Sequence, residues 1–267
     1  MKWLLRFWYF LTCCCFAVFA WGSPKPLSLT FGYDNVATVP WYTPEQHGYV
    51  FEILKLADDE LSDIDFKFRG LPWRRCLEEL EVGAIDGCFS STHTVERAKK
   101  GLFPLNAAGE VDSSRSLFKS SYSLMVPSAL KSSVKIDGLK IVGWNMKHRI
   151  GVNLHYAIAQ DLEPGGYSLE FAPSLESNKM KLLNGRVMAL ADVTSRLESL
   201  KKGGEMPGFE ILTPPLTERE FHLMLSRHIE KLHPTLPDQI WNKLAEVRAQ
   251  KRIAEPAPVP SLSSSKP

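Results

Sequence analysis

Arg97 follows a run of hydroxyl residues, Ser90, Ser91, Thr92 and Thr94, and no other stretch of the chain points so directly to a chemistry. A guanidinium presents five N–H donors in a rigid fork that matches a carboxylate or phosphate, and neighbouring hydroxyls add neutral donors. Residues of these types hold a small anion without transforming it. They belong to the stretch Leu71–Pro104, LPWRRCLEELEVGAIDGCFSSTHTVERAKKGLFP. Pro72 at a helix N1 position opens a predicted helix over Pro72–Val82, Gly83 ends it, and Ala84–Ser90 reads as a short apolar strand. A further helix starts at Thr94, so a strand end, hydroxyls, a helix start and a guanidinium converge on one small volume. Two plainer readings stand beside this one. Arg97 on a short charged helix is also a solvated surface residue, and Arg75, one turn into its helix, has Glu78 and Glu79 within reach. Asp86 is read as organising the turn after Gly83, and His93 as a rim residue.

Other chemistries lack their motifs. Ser, His, Asp and Cys are all present, but no Gly-x-Ser-x-Gly, His-Glu-x-x-His or Gly-x-x-x-x-Gly-Lys occurs, so the chain is not read as an enzyme. The seven His are scattered and no Cys/His cluster has metal-ligand spacing; no metal and no cofactor is expected. Cys76 falls in the predicted helix and Cys88 in the following strand. They are read as two buried small apolar residues facing each other across a helix–strand contact, although an oxidising compartment permits a disulfide.

The first two dozen residues set the compartment. Lys2 and Arg6 form a positive n-region, Phe7–Ala20 is apolar, and Val18-Phe19-Ala20 or Ala20-Trp21-Gly22 offers a small-residue cleavage site. Residues 1–22 are therefore expected to be a cleavable signal peptide that sends the protein across the inner membrane to the periplasm, the apolar run being shorter than the roughly 20 residues of a spanning helix. Thr12 and Cys13 precede the leader cysteines where a lipoprotein signal prefers a small residue. Cleavage removes Lys2 and Arg6 and no acid, taking the formal charge from +2 to 0. A neutral protein has no electrostatic reason to bind nucleic acid, and none is expected as a partner.

The elements that would position Arg97 follow in order. Leu27–Tyr33 alternates as a strand, Val50, Ile53, Leu54 and Ala57 give Tyr49–Glu60 an apolar helical face, and Asp65–Arg69 is a second strand. This β-α-β-α-β succession predicts a layered α/β domain with a mostly parallel sheet. Ser116–Val126 carries the chain out of that lobe. A second series then follows: strand Leu139–Trp144, helix Val152–Gln160, strand Leu169–Phe171, helix Leu175–Leu183, strand Val187–Ala191 and helix Val193–Leu200. Phe221–Ser226 is an apolar strand leading back, and Pro237–Lys251 a helix with a packing stripe of Ile240, Trp241, Leu244 and Val247. The Pro/Ser-rich end is expected to be a disordered tail.

Gly83-Ala84-Ile85-Asp86, Ser90-Ser91-Thr92, Glu96-Arg97 and Phe103-Pro104 together resemble family-3 bacterial extracellular solute-binding proteins, the amino-acid-type periplasmic binding proteins. Gly185-Arg186-Val187 looks like the matching turn of the second lobe, Phe221–Ser226 with the last helix looks like the return to lobe one, and Leu71-Pro72-Trp73-Arg74-Arg75 is similar to an opening seen in stand-alone members. The resemblance implies an α/β two-lobed clamp, each lobe a mostly parallel sheet flanked by helices, with two hinge crossings. Its expected parts are lobe 1 (23–126 plus 221–253), lobe 2 (127–220) and a tail (254–267). It implies that Arg97 pairs with a ligand carboxylate, with Ser90 and Thr92 nearby and Trp41 or Tyr42 as an aromatic wall; Arg75 is read as facing either the cleft or the surface.

The second lobe departs from the family pattern. A Gly-Ser/Thr-Thr turn is replaced by Gly143-Trp144-Asn145-Met146-Lys147, and Met188 stands where the turn's Asp belongs. Asp192 is then the expected ammonium partner, with Asn145 and Trp144 meeting a different substituent. The function implied is capture of a small polar, carboxylate-bearing, amino-acid-like solute for an ABC-type importer. The alternative is a stand-alone module that reports ligand to a membrane partner. Expected partners are the solute and an inner-membrane permease or sensor, the protein itself being a monomer.

Overall fold

A strand buried on both faces starts the fold: β1 (Leu27–Asp34) buries Leu29 and then every residue from Phe31 to Asp34, as an internal strand of a covered parallel sheet does. A computed structural model describes residues 25–250 and Pro256. The predicted leader and, apart from Pro256, the predicted tail lie outside the described residues, as does Lys251, the expected end of the last helix. Helix α1 (Tyr49–Glu60) buries Val50, Ile53, Leu54 and Ala57 along one face. β2 (Ile64–Leu71) runs parallel to β1 along its whole length. Helix α2 (Trp73–Glu81) has Pro72 as its N-cap, one position earlier in the helix than expected.

β3 (Gly87–Ser91) lies parallel to β1 on its other side. It starts later than Ala84 because Asp86 anchors the lead-in, its carboxylate accepting the Thr30 N–H at 2.7 Å while its own N–H donates to the Thr30 carbonyl. Helix α3 (Val95–Lys100) and β4 (Gly101–Leu102) complete this stretch. Helix α2 lies close over β1, and a Cβ at Gly32 would stand 2.5 Å from Cys76 Sγ. The same approach brings Cys76 and Cys88 to a Cα–Cα distance of 6.4 Å, and they form a disulfide. The reading of two packed thiols is thereby corrected: the helix–strand contact is covalent.

β5 (Phe118–Pro127) leads into the second half. The expected strand Leu139–Trp144 is instead one arm of a two-stranded hairpin, β6 (Lys135–Asp137) and β7 (Lys140–Val142), turning at Gly138 with φ +56° and standing apart from the main sheet. The first parallel strand of this half is β8 (Arg149–Asn153), which buries Ile150 and Val152. It takes the residues expected to start a helix, and α4 is confined to Ala157–Leu162. β9 (Ser168–Ala172), α5 (Leu175–Leu183), β10 (Ala189–Val193), α6 (Thr194–Lys202), β11 (Phe209–Ile211) and β12 (Thr217–Ser226) follow, then α7 (Arg227–Leu232) and α8 (Leu236–Ala249). α8 presents Ile240, Trp241, Leu244 and Val247 to the core, and the Trp241 indole donates to the Leu223 carbonyl at 2.8 Å.

The strands join in the order β2-β1-β3-β12-β5-β10-β8-β9. β1, β2 and β3 are mutually parallel on one side, and β8, β9 and β10 on the other. Between them lie the two long crossing strands. β12 pairs with β5 over Thr217–Phe221 and then with β3 over His222–Leu225, while β5 continues onto β10. The result is a two-lobed α/β clamp whose crossings are hydrogen-bonded to each other. No helix among the described residues is long and apolar enough to cross a membrane.

Candidate functional site

Asp34 ends β1, Ser90 and Ser91 end β3, Asn153 ends β8, and Asp192 and Val193 end β10. The carboxyl ends of parallel strands are where open α/β sheets bind ligands. Here the ends from both lobes meet around a cavity of about 30 Å³. Asp34, Thr38, Tyr42, Ser90 and Arg97 face it from one lobe, and Tyr156, Val193 and Arg196 from the other. Trp73 adds an indole, and the crossing strands contribute Phe118, Tyr122 and Phe221, so the walls are largely aromatic. A volume that holds about one or two waters is smaller than an amino acid.

Arg97 is buried, and α3 carries it with Thr94 as N-cap, the Thr94 hydroxyl accepting the Arg97 N–H at 3.2 Å. Its Nη1 donates to the Thr92 carbonyl at 2.9 Å and to the Thr92 hydroxyl at 2.7 Å. Its Nη2 crosses to the other lobe and donates to the His155 carbonyl at 2.7 Å. All three acceptors are uncharged, no described carboxylate lies within ion-pair distance, and the guanidinium packs 5.2 Å from the centre of the Trp73 ring. Burial pushes its pKa below the usual arginine value. Ser90 has φ +61° and His155 φ +64°, an uncommon backbone region for such residues, and Ser90 Oγ is buried without a hydrogen-bond partner.

A second buried guanidinium faces the first. Arg196, in the first turn of α6, donates from Nε to Thr38 Oγ1 at 2.8 Å and from Nη2 to Asp34 Oδ2 at 3.0 Å and the Tyr42 hydroxyl at 3.2 Å. Its Nη1 donates to the Tyr156 hydroxyl, which in turn donates to Asp34 Oδ2. Burial works against the Arg196 charge, but Tyr156, Tyr42, Asp34 and Asp192 outweigh it and raise its pKa. Burial likewise raises the Tyr42, Tyr122 and Tyr156 hydroxyls, which stay protonated.

Of the residues singled out from the sequence, the structure brings Arg97, Ser90, Thr92 and Tyr42 together at this cavity or directly behind it. Trp41 is one residue off: it lies in the core, stacked on Phe118 at 4.5 Å, and Tyr42 alone supplies that part of the wall. Arg75 is at the surface, its Nε donating to Glu79 at 2.7 Å one helical turn on. Asn145 is exposed and caps the Lys147 N–H at 3.0 Å; its loop belongs to the outlying hairpin, whereas the loop that reaches the cavity is Leu154–Tyr156 after β8. Asp192 is buried behind the lining with its oxygens taken, Oδ2 by Asn153 Nδ2 at 2.9 Å and Oδ1 by the Val193 N–H at 2.6 Å. Burial raises its pKa to about 6.

Arg196, Asp34 and Tyr156 were not legible as site residues. Asp34 had a signal, since it directly follows the first predicted strand, Leu27–Tyr33, and strand ends are where ligands sit. Arg196 also had one, standing in the first turn of the predicted helix Val193–Leu200, directly after the strand whose end carries Asp192.

Neither a protein-family model nor a curated protein matches the chain. Solved structures do. An ancestral arginine-binding protein bound to glutamine superposes with a TM-score of 0.64 at 18% identity, covering 83% of this chain and 92% of the other. A histidine kinase sensor domain with similarity to periplasmic binding proteins gives 0.62 at 12%, covering 85% and 92%. An ancestral amino acid-binding protein, a precursor of cyclohexadienyl dehydratase, gives 0.61 at 16%, covering 83% and 90%. The strand order, the paired crossings and these likenesses agree: the chain has the two-lobed fold of the family-3 periplasmic solute-binding proteins.

Proposed function

We propose that the protein is a periplasmic binding protein that clamps a small polar solute by its carboxylate between the two lobes, without chemical change. The observation that carries this reading is Arg97. A buried guanidinium is costly unless paired, and among the described residues this one meets only the two Thr92 oxygens and the His155 carbonyl, with Nε–H and one Nη2–H left over. A solute carboxylate would take those donors in a charge-assisted pair, the unpartnered Ser90 hydroxyl would add a bond, and the aromatic walls would hold an apolar stem. Closing the lobes strengthens each contact by excluding water.

The solute would then pass to an ABC-type importer. Signalling to a membrane partner is the second reading, and the likeness to a histidine kinase sensor domain favours it. Both use the same clamp, in which ligand stabilises the closed form. The test is a thermal-shift screen of residues 23–267 against amino acids, other carboxylic acids, polyamines and small peptides. A carboxylate is expected to raise the midpoint, and Arg97→Ala to abolish that rise while leaving the fold intact. Undiminished stabilisation of Arg97→Ala would remove Arg97 from the site.

A further inference from the structure

We propose that the cleft selects carboxylates that lack an α-ammonium group, and that Arg196 imposes the selection. This rests on Arg97 as the carboxylate partner and concerns what the other end of the cleft accepts. An ammonium needs acceptors in place of its water, and two carboxylates are near enough to offer them, Asp34 and Asp192.

Asp34 is engaged through Oδ2 and Asp192 through both oxygens. Asp34 Oδ2 accepts from Arg196 Nη2 at 3.0 Å and from the Tyr156 hydroxyl. Asp192 gives Oδ2 to Asn153 and Oδ1 to the Val193 N–H, and that same Oδ1 lies 3.9 Å from Arg196 Nη1. The neutral acceptors beside them, Thr38 Oγ1 and the Tyr42 hydroxyl, also face Arg196. One guanidinium thus occupies the cation position of the cleft, with the Tyr156 ring 5.4 Å from it. The Arg196 side chain is only 3% exposed, and it is held by three residues of the opposite lobe, so it does not swing aside at little cost.

A solute bringing its own cation would meet a like charge in a site from which water is largely excluded, and such juxtaposition costs heavily. The Arg97 end has the reverse character, with donors to spare and the free Ser90 hydroxyl. Between the two ends the lining is Trp73, Phe118, Tyr122 and Phe221. The solute that complements this arrangement has an anionic head and an uncharged body.

Calorimetric titration of the purified protein at neutral pH with matched pairs tests this: 3-phenylpropionate and phenylalanine, propionate and alanine, glutarate and glutamate. At least one deaminated acid is expected to bind roughly 100-fold more tightly than its amino counterpart. Arg196→Gln, which frees Asp34, is expected to narrow that gap to about tenfold or less, and Arg196→Lys, which keeps the charge, to retain it. An amino acid that binds the wild-type protein as tightly as its deaminated partner overturns the inference and leaves Arg97 in place. If no member of any pair binds, the carboxylate reading of Arg97 falls and the inference with it. A gap unchanged in Arg196→Gln removes Arg196 as its cause, and the wild-type pairs decide the selection whether or not that variant folds.

Discussion

Arg196 of one lobe and Asp34 of the other form an ion pair with Nη2 and Oδ2 3.0 Å apart and almost no exposure to water on either side. Buried pairs of this kind are asymmetric in their energetics. Their formation is close to neutral against an apolar replacement, but removing one partner strands the other. Arg196→Met alone is expected to destabilise the protein by about 3–5 kcal/mol. The double change Arg196→Met with Asp34→Leu should cost much less than either single change. Urea unfolding of the four proteins measures the difference, and additive single and double effects would mean that the two charges do not interact.

Asp192 should leave a signature in the pH dependence of stability. Burial raises its pKa to about 6 from an ordinary 3.8. Between those values the folded chain holds a proton that the unfolded chain has lost, so stability falls as pH rises through the window, and the full cost stands above it. Relative to wild type, Asp192→Asn should gain on the order of 2 kcal/mol between about pH 4 and pH 7. His222, in β12, acts in the opposite sense: burial lowers its pKa to about 4 from 6.5, so its contribution is lost as pH falls through that range. The two effects overlap, and unfolding midpoints must be compared as differences between each variant and wild type.

The Cys76–Cys88 disulfide closes a separation of 12 residues. A loop of that size stabilises by about 3 kcal/mol through the unfolded chain. Reduction should therefore lower the melting midpoint by roughly 6–12 °C in a protein of this length. The double variant Cys76→Ala with Cys88→Ala should melt at the reduced value and be indifferent to reductant.

Arg75 and Arg97 make a controlled comparison. The Arg75 side chain is 66% exposed, and its bond to Glu79 is a helix-surface pair. Arg75→Ala is expected to cost less than about 1 kcal/mol and to leave carboxylate binding unchanged. A loss of affinity comparable with that of Arg97→Ala would place Arg75 at the cleft after all.

These residues also show what a sequence discloses. The first lobe was legible because its signals are local: the apolar stripe of α1, the stop at Gly83, and the hydroxyl run before Arg97. The second lobe was misread at one point with a consequence for the site. Leu139–Trp144 has the composition of a sheet strand but spends it on a hairpin, whereas the shorter β8 has only Ile150 and Val152 to mark it. Taking the hairpin for the strand put Asn145 at the strand end, where Leu154–Tyr156 belongs. Tyr156 and Arg196 were missed for a different reason. Their roles exist only across the seam between lobes, through Asp34, Thr38 and Tyr42, which lie more than a hundred residues away in the chain. Trp41 and Tyr42 differ by one position, which decides whether a ring joins the core or the lining.

The pairing of β5 with β12 has a mechanical consequence. Two separate tethers would let one lobe swivel and slide against the other in several directions. Here Phe118–Tyr122 and Thr217–Phe221 form an antiparallel ribbon, stiff against bending within its own plane and compliant in twist. Parting the lobes would have to deform this shared ribbon, and both crossings together. A break in either strand alone would leave the lobes joined through its neighbour.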